Sequence, residues 1–406
     1  MSRSVVVTGL GVVARGAIGL PAFEDLLAQG GDAPDAPMHF DTSGFRARRA
    51  YAADPRDTEE ALRQAERAGQ LSGLTEPQIV CAGHGILAAL EAIRMAGLSE
   101  MPRGVGCAVA TTSGGLMDGY SDALMAGKGE RDAPDLVTPA SAAHVLSQVF
   151  DLNGPLCAFS CACVSSLGAM SYALSRVRNG DADIMIVGGS DRMRAADFAG
   201  FNALRAMDRE TCRPFDRTRK GMMIGDGSAI LVIEAEDHAK ARGAEPIVRL
   251  SGMGLASDSH HITSPNPRGL TRAMKQALQQ AGRKPSDISY VNCHGTGTPL
   301  NDAAEAEALD GVFTGKGDLI ISSTKGTTGH LLGTAGAIEI VATILALKSG
   351  KAPPMLSTKD PEDVPFTLSL PEADRTLATG VVMKNSLGFG GLNGSLILEL
   401  PDIGDL

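Results

Sequence analysis

The 406-residue chain contains no tryptophan and only four tyrosines. Aromatic bulk therefore cannot fill its core, and packing must rest on aliphatic and small side chains brought close together. Cation excess is also missing: 37 Lys and Arg face 47 Asp and Glu, a net charge of −10. That balance argues against nucleic acid or an anionic membrane as the main partner. The seven cysteines form no CxxC pair, and Cys161 and Cys163 are too close together for ordinary disulfide pairing or a zinc knuckle. A reducing compartment, the cytoplasm, is expected. The apolar run Leu331–Leu347 is interrupted by Glu339 and reads as a buried helix, not a membrane span. MSRSVVVTGLGVVARG lacks a secretory h-region of the right length.

What is present is glycine, 49 residues, in a chain 43% hydrophobic and 21% charged. Such a composition excludes general disorder and supplies ample core, and the length fits two or three domains or one two-part unit. Strands are predicted at Ser4–Thr8, Gly106–Ala110, Ile184–Val187, Ala229–Glu234, Tyr290–Cys293, Leu319–Ser322, Val381–Asn385 and Ser395–Leu400. Several are near-continuous apolar runs, as in strands buried on both faces. Helices are predicted at Val80–Ala96, Ser165–Asn179, Leu270–Ala281, Ala303–Asp310 and Thr334–Ser349. The alternation indicates an α/β layered architecture. No linker divides the chain. The best seam, near Gly243–Pro246, separates residues 1–245 from 246–406. Cys163-Val-Ser-Ser-Leu-Gly-Ala-Met and His330-Leu-Leu-Gly-Thr-Ala-Gly-Ala each open a helix after a strand and a polar turn, a pattern expected of a duplication.

Five segments carry candidate chemistry. Thr8-Gly9-Leu10-Gly11-Val12-Val13-Ala14 fits GxGxxA. A dinucleotide site needs a helix starting at the second glycine and an acidic residue ending the next strand. Here the helix starts near Pro21 and no such strand follows, so a tight turn leaving the first strand is expected. In Ser160–Gly168, Cys163 falls at the first turn of a helix, where the dipole favours a nucleophilic thiolate. Cys81, Cys107, Cys157, Cys161, Cys212 and Cys293 read as small buried hydrophobes. In Asn292–Asp302, His294 leaves a strand into a Gly/Thr loop of hydroxyls and N–H groups, suited to a polar ligand arm. In Ser323–His330 a lysine and a histidine precede Glu339, a lone charge in an apolar helix that needs a partner; Lys325 is the nearest candidate. GxxxxGK[ST] is absent, which excludes a phosphate loop of that kind. In Asn385–Gly394, Phe389 is flanked by glycines and its backbone can approach a ligand.

Taken in order, one Cys and two His on separate strand–helix junctions closely resemble the elongating, Cys-His-His type of β-ketoacyl-[acyl-carrier-protein] synthases, within the thiolase superfamily. The resemblance runs from Val5–Gly11 through ACVSS, Pro214-Phe215-Asp216 with Gly225-Asp226-Gly227, HGTGTPLND, STKGTTGHLLGTAGA and SLGFGGLNGS. It implies a thiolase-like five-layer α-β-α-β-α fold of two similar halves, and decarboxylative Claisen condensation of malonyl-carrier protein with an acyl chain held on Cys163. It implies His294 and His330 as donors to the malonyl thioester oxygen, with Lys325 and Glu339 ordering His330. The N–H groups of Cys163 and Phe389 match an oxyanion hole, and Phe389 a gate. Thr296 and Thr298 match hydroxyls that hold the phosphopantetheine arm; Phe201 and Arg205 match the acyl pocket and the carrier-protein entrance.

The resemblance further implies no metal or nucleotide cofactor, the pantetheine arm of acyl carrier protein supplying both thioesters. It implies a dimer, pairing near Leu156–Ser160, either a homodimer or a heterodimer with a chain-length-factor-like homologue. A degradative thiolase would need a cysteine within Leu387–Gly394, which has none. The remaining alternatives are a non-condensing chain-length-factor-like subunit and a decarboxylase subunit. Three features depart from relatives: Leu392 in place of a common Thr, Cys161 two before the nucleophile, and no Lys or Arg in Gly69–Gln78. Arg205, Arg209 and Arg213 remain as the docking patch, and fatty-acid and polyketide or polyene pathways both stay open.

Overall fold

A computed structural model describes residues 3–53, 76–114, 138–315 and 317–401, with positions 59, 62, 63, 66, 69 and 71–74 between the first two spans. Gln70 and Thr75, within the stretch expected to lack a basic ridge, lie outside the described residues.

The first half of the chain runs β1 (Val5–Ala14), β2 (Ala17–Ile18), α1 (Leu20–Gln29), α2 (Glu76–Met95), β3 (Gly106–Ala110), α3 (Ser141–Val149), β4 (Leu156–Phe159), α4 (Ser165–Asn179), β5 (Ile184–Asp191), α5 (Ala195–Ala203), β6 (Gly227–Ala235) and α6 (Glu236–Ala241). The second runs β7 (Val248–Ser257), α7 (Pro267–Ala281), β8 (Tyr290–Asn292), α8 (Pro299–Asp310), β9 (Ile320–Ser322), α9 (Lys325–Thr328), α10 (Ala335–Ser349), β10 (Thr367–Leu368), β11 (Val381–Leu387) and β12 (Leu392–Glu399). Strand order is β4-β3-β5-β6-β1 and then β7-β12-β11-β8-β9-β10. Among the described residues the two groups pair at Val6↔Arg249 and Val7↔Val248, with Ile247 N donating to Val7 O beside them. Within each group the directions match. β3 is parallel to β4 and β5, as β8 is to β9 and β11; β5, β6 and β1 alternate in direction, as do β11, β12 and β7.

Strand periodicity builds the layers. On β6, Ile230 and Val232 face outward to Ala88 and Ala92 of α2 and Leu146 of α3, while Leu231 and Ile233 face inward. The inward faces of both groups clamp α4 and α10, with Leu167, Met170, Ile338 and Val341 packed against Val7, Val187, Leu396 and Leu398. Beyond the second group, Leu270 and Met274 of α7 and Ala308 of α8 cover Val291, Met383 and Ile397. The result is α-β-α-β-α, with the two central helices carrying the chemistry at their N-terminal ends. The window Leu332–Ser349 is long and apolar enough to cross a membrane, but 89% of it is buried inside the protein.

Two expectations change. Thr8–Ala14 is no turn: all ten residues of Val5–Ala14 form one buried strand. A Cβ on Gly9 or Gly11 would overlap the carbonyl oxygens of Ala92 and Ala88 on α2, so the glycines let helix and strand backbones touch. β7 was not anticipated, because Val-Arg-Leu-Ser-Gly-Met-Gly breaks up the apolar run. Its Gly252 and Gly254 meet Ala277 and Ala273 of α7 in the same way. The repeated Gly-x-Gly is thus a packing device of the duplicated half.

Candidate active site

Cys163 lies between β4 and α4, where Ala162 holds φ 51°. Ser165 locks this turn: its Oγ accepts the Cys161 N–H at 2.7 Å and donates to Ala162 O at 2.6 Å. The next residue, Ser166, donates to Gly333 O at 2.6 Å and so ties the cysteine turn to the segment after His330. The helix start, expected to favour a thiolate, lies at Ser165, two residues beyond Cys163, and burial opposes the charged form. Burial pushes Cys163 up to about 11, and it outweighs Lys325 and the N–H groups of Phe389 and Cys163, which pull the other way. Those two N–H groups favour the charged form of the sulfur, as oxyanion donors at this position would.

His294 follows β8. Glu305, on the second turn of α8, accepts the N–H groups of His294 and Gly295, each at 2.8 Å, and Asp302 accepts those of Phe215 at 2.9 Å and Gly297 at 3.1 Å. Two inward carboxylates three apart on α8 thus shape the loop. Burial raises Glu305 to about 7, against the pull of those N–H bonds. His330 sits between α9 and α10, its own N–H donating to Met223 O at 2.7 Å.

Lys325 is paired with Glu339 as expected, but it orders the other histidine. Its Nζ donates to His294 Nδ1 at 3.2 Å and His294 O at 2.6 Å. His330 Nδ1 instead accepts the Leu332 N–H at 3.0 Å. An ammonium and a backbone N–H can only donate, so both Nδ1 atoms are acceptors, and each neutral ring carries its proton on Nε2. Burial first, then Lys325, holds both histidines well below 6.5. Sequence reading missed Lys384, whose Nζ lies 2.8 Å from Glu339 Oε2. It also missed Asp191, which accepts from Thr111 Oγ1 at 2.7 Å, Thr112 N at 2.8 Å and Thr334 N at 3.1 Å, and so staples the end of β3 to the turn after His330. Asp302 was legible as the last residue of a quoted motif, whereas Glu305 fell only within the predicted helix Ala303–Asp310; Lys384, inside an apolar strand, was legible only as a charge without a partner.

The Cys163 sulfur and one ring nitrogen from each of His294 and His330 lie within 4.8 Å of one another. The two rings meet edge-on with centroids 5.1 Å apart. Sulfur with two imidazoles is also a ligand set that zinc accepts. All three residues line a cavity of about 410 Å³ together with Thr296, Thr298, Phe201, Arg205 and Phe389. The threonine hydroxyls contact each other at 2.9 Å, and Thr298 also caps α8 by accepting the Asn301 N–H. The Phe201 and Phe389 rings lie 6.1 Å apart. The Phe389 loop is held by backbone bonds, Gly388 N to Leu392 O at 2.7 Å and Gly390 N to Ile262 O at 2.8 Å, so Leu392 needs no side-chain hydroxyl there. At the mouth stand the exposed apolar residues Leu204, Ile262 and Leu300 with Arg205 and Lys220. Arg209 lines a neighbouring groove with Arg46, Arg48, Arg49 and Lys359. Arg213 is tied to Asp208 at 3.0 Å and Glu210 at 3.3 Å.

Two family models match the chain: the beta-ketoacyl synthase N-terminal domain over residues 2–239 and its C-terminal domain over residues 247–359. The 3-oxoacyl-[acyl-carrier-protein] synthase 2 of Coxiella burnetii (strain RSA 493 / Nine Mile phase I) is 33% identical over 98% of both chains. The putative polyketide beta-ketoacyl synthase 1 of Streptomyces cyaneus is 34% identical over 99% of both. Among solved structures, the ishigamide ketosynthase/chain length factor superposes with a TM-score of 0.89 at 28% identity, covering 99% of this chain and 100% of that one.

Proposed function

This chain belongs to the β-ketoacyl synthase family, and on that premise we propose that it condenses a Cys163-bound acyl chain with a malonyl thioester carried on acyl carrier protein. The observation that carries this reading is the convergence of the Cys163 sulfur and the His294 and His330 ring nitrogens within 4.8 Å in one cavity.

Cys163 attacks the acyl thioester, and the N–H groups of Cys163 and Phe389 stabilise the oxyanion. The sulfur–carbon bond to pantetheine breaks, and the thiol proton ends on the departing pantetheine sulfur. Loss of the Cys163 proton is favoured by Lys325 and opposed by burial. Malonyl-carrier protein then places its thioester oxygen at the two Nε2–H groups. Carbon dioxide leaves, the enolate oxygen gathers the charge, and C2 attacks the Cys163 thioester carbonyl. The released sulfur takes a proton from solvent, completing the balance. Neutral imidazoles suit this work, since they donate hydrogen bonds without consuming a proton. Each such donor is worth about 3–4 kcal/mol of barrier.

The remaining assignments belong to the same proposal. Thr296 and Thr298 hold the pantetheine arm; Phe201 bounds the acyl pocket and Phe389 gates it. Arg205 and Lys220 at the mouth, with Arg209 and the neighbouring Arg46, Arg48, Arg49 and Lys359, receive the carrier protein. Arg213, already neutralised by two carboxylates, serves the loop itself. No resident metal or nucleotide takes part, and the protein works in the cytoplasm. Residues 1–245 and 246–406 are two halves of one catalytic unit, a reading the repeated strand order supports. β4 is an edge strand with Leu156 exposed, which suits pairing with a second subunit, either this chain or a homologue.

The test is turnover of acyl- and malonyl-loaded carrier protein by the purified chain and by Cys163→Ala. A β-ketoacyl product with one carbon dioxide per product, lost in the variant, is expected. Carbon dioxide without product would instead assign the chain as a decarboxylase subunit. Neither, with no acylation, would assign a chain-length-factor-like role.

A further inference from the structure

Glu339 faces two ammonium groups, not one. Lys325 occupies its Oε1 and Lys384 its Oε2. Lys384 is fully buried in the middle of β11. It pairs with Asn292 of β8 on one side and Leu396 of β12 on the other, and Asn292 is two residues before His294. Its Nζ also donates to Asn385 O and to Ser386 Oγ at 3.2 Å. A buried lysine ordinarily needs a counter-charge of its own. The next acid in the cluster is Glu305, and its two oxygens already accept the N–H groups of His294 and Gly295. Two cations thus share the Glu339 carboxylate, and Glu305, raised by burial to about 7, balances only part of the second charge near neutral pH, which leaves the cluster behind the imidazoles with a partial excess of positive charge.

We propose that Lys384 is a positioning residue for the condensing site: by sharing Glu339 with Lys325 it leaves positive charge behind His294 and His330, which keeps both rings neutral Nε2–H donors and favours the anion that forms on the malonyl thioester oxygen. This rests on the condensing function above. Were Lys384 absent, Glu339 would cancel Lys325 alone and the field at the rings would fall. The groups facing Lys384 are Glu339 of α10, Lys325 of α9 and Glu305 of α8, with His294 and His330 beyond them. Lys384 repels protons from both histidines, and its own pKa is lowered by burial in part offset by Glu339.

The experiment compares Lys384→Met, which keeps the chain length and removes the charge, with Lys384→Arg, which keeps the charge. Malonyl-carrier-protein decarboxylation is followed from pH 5 to 8, with each sample normalised by the fraction of Cys163 acylated in an intact-mass assay. For Lys384→Met, kcat falls about tenfold with KM little changed, because the missing charge is felt mainly in the transition state. The acid limb of its pH profile moves up by about one unit, since a cation that opposed imidazole protonation is gone. Lys384→Arg keeps the acid limb of the unaltered protein. An unmoved acid limb in Lys384→Met, or one displaced equally in both variants, overturns the proposal. If neither variant folds, ¹⁵N titration of the histidines in the unaltered protein decides it. An imidazolium at pH 6 on either ring overturns it, since positive charge behind the rings would exclude one. A failure of the condensing function itself is distinguishable, because Cys163 of the unaltered protein would then not acylate.

Discussion

At the residue scale, the site depends on where two imidazole protons reside. Lys325→Met removes the cation bonded to His294 Nδ1. Malonyl decarboxylation is then expected to fall about a hundredfold, the lower range for losing an oxyanion donor. A stability cost of up to about 3–5 kcal/mol for breaking a buried pair is expected to be blunted by Lys384, which still answers Glu339. Steady-state kinetics alongside urea unfolding separates the two effects, and wild-type decarboxylation in a variant of lowered stability would make the pair purely structural. A second prediction concerns acid. His330 is held well below 6.5 by burial, so in the folded protein it stays neutral where the unfolded chain takes up a proton. Its contribution to stability is therefore present above about pH 6.5 and is lost as pH falls. His330→Asn keeps an acceptor for the Leu332 N–H but does not titrate. The stability advantage of the unaltered protein over this variant should be smaller at pH 5.5 than at pH 8; an advantage that grows toward acid would show that His330 is charged when folded.

At the element scale, helix–strand contact and the Phe389 loop make separate claims. Gly11→Ala forces a Cβ into the carbonyl of Ala88. Overpacking of this kind typically costs about 1–3 kcal/mol, and a backbone neighbour that cannot rotate away places it at the upper end. A urea midpoint within error of the parent would mean that β1 and α2 slide apart freely. The Phe389 loop is fastened through Gly390 N to Ile262 O, and Gly390 and Gly391 hold φ of 84° and 81°. Phe389→Ala should admit malonyl thioester before acylation, raising the ratio of carbon dioxide released to condensed product formed. Equal losses of both would identify a packing ring. Much of this scale was legible. α4 matched residue for residue because Gly180, with φ 78°, ends it in the left-handed conformation, and α10 ends the same way at Gly350. β7 was not legible, since Arg249, Ser251 and two glycines interrupt the apolar signal while their reason, contact with α7, lies outside the strand. The site residues were legible as ordered motifs. Their partners were not, because Lys325 is 31 residues from His294 in sequence and adjacent to His330's own segment, so its bond to His294 is a tertiary contact that sequence proximity hides.

At the scale of the whole molecule, the duplication explains why one site draws on both halves. β4–α4 and β9–α10 occupy equivalent places in their strand groups, so Cys163 and His330 approach at the N-terminal ends of the two central helices. His294 leaves β8 just as Thr111 leaves β3, and Thr111 and Thr112 reach the His330 side through Asp191. In this acidic chain Arg205 and Lys220 stand at the cavity mouth, and Arg46, Arg48, Arg49, Arg209 and Lys359 line the adjoining groove. The central claim is that this shared cavity holds an acyl chain on Cys163. Intact-protein mass spectrometry after incubation with acyl-carrier protein, followed by peptide mapping, tests it most directly. The account predicts a single added acyl group on the peptide containing Cys163, absent in Cys163→Ala and discharged by malonyl-carrier protein. An adduct that survives Cys163→Ala, or that maps to Cys161, would contradict it.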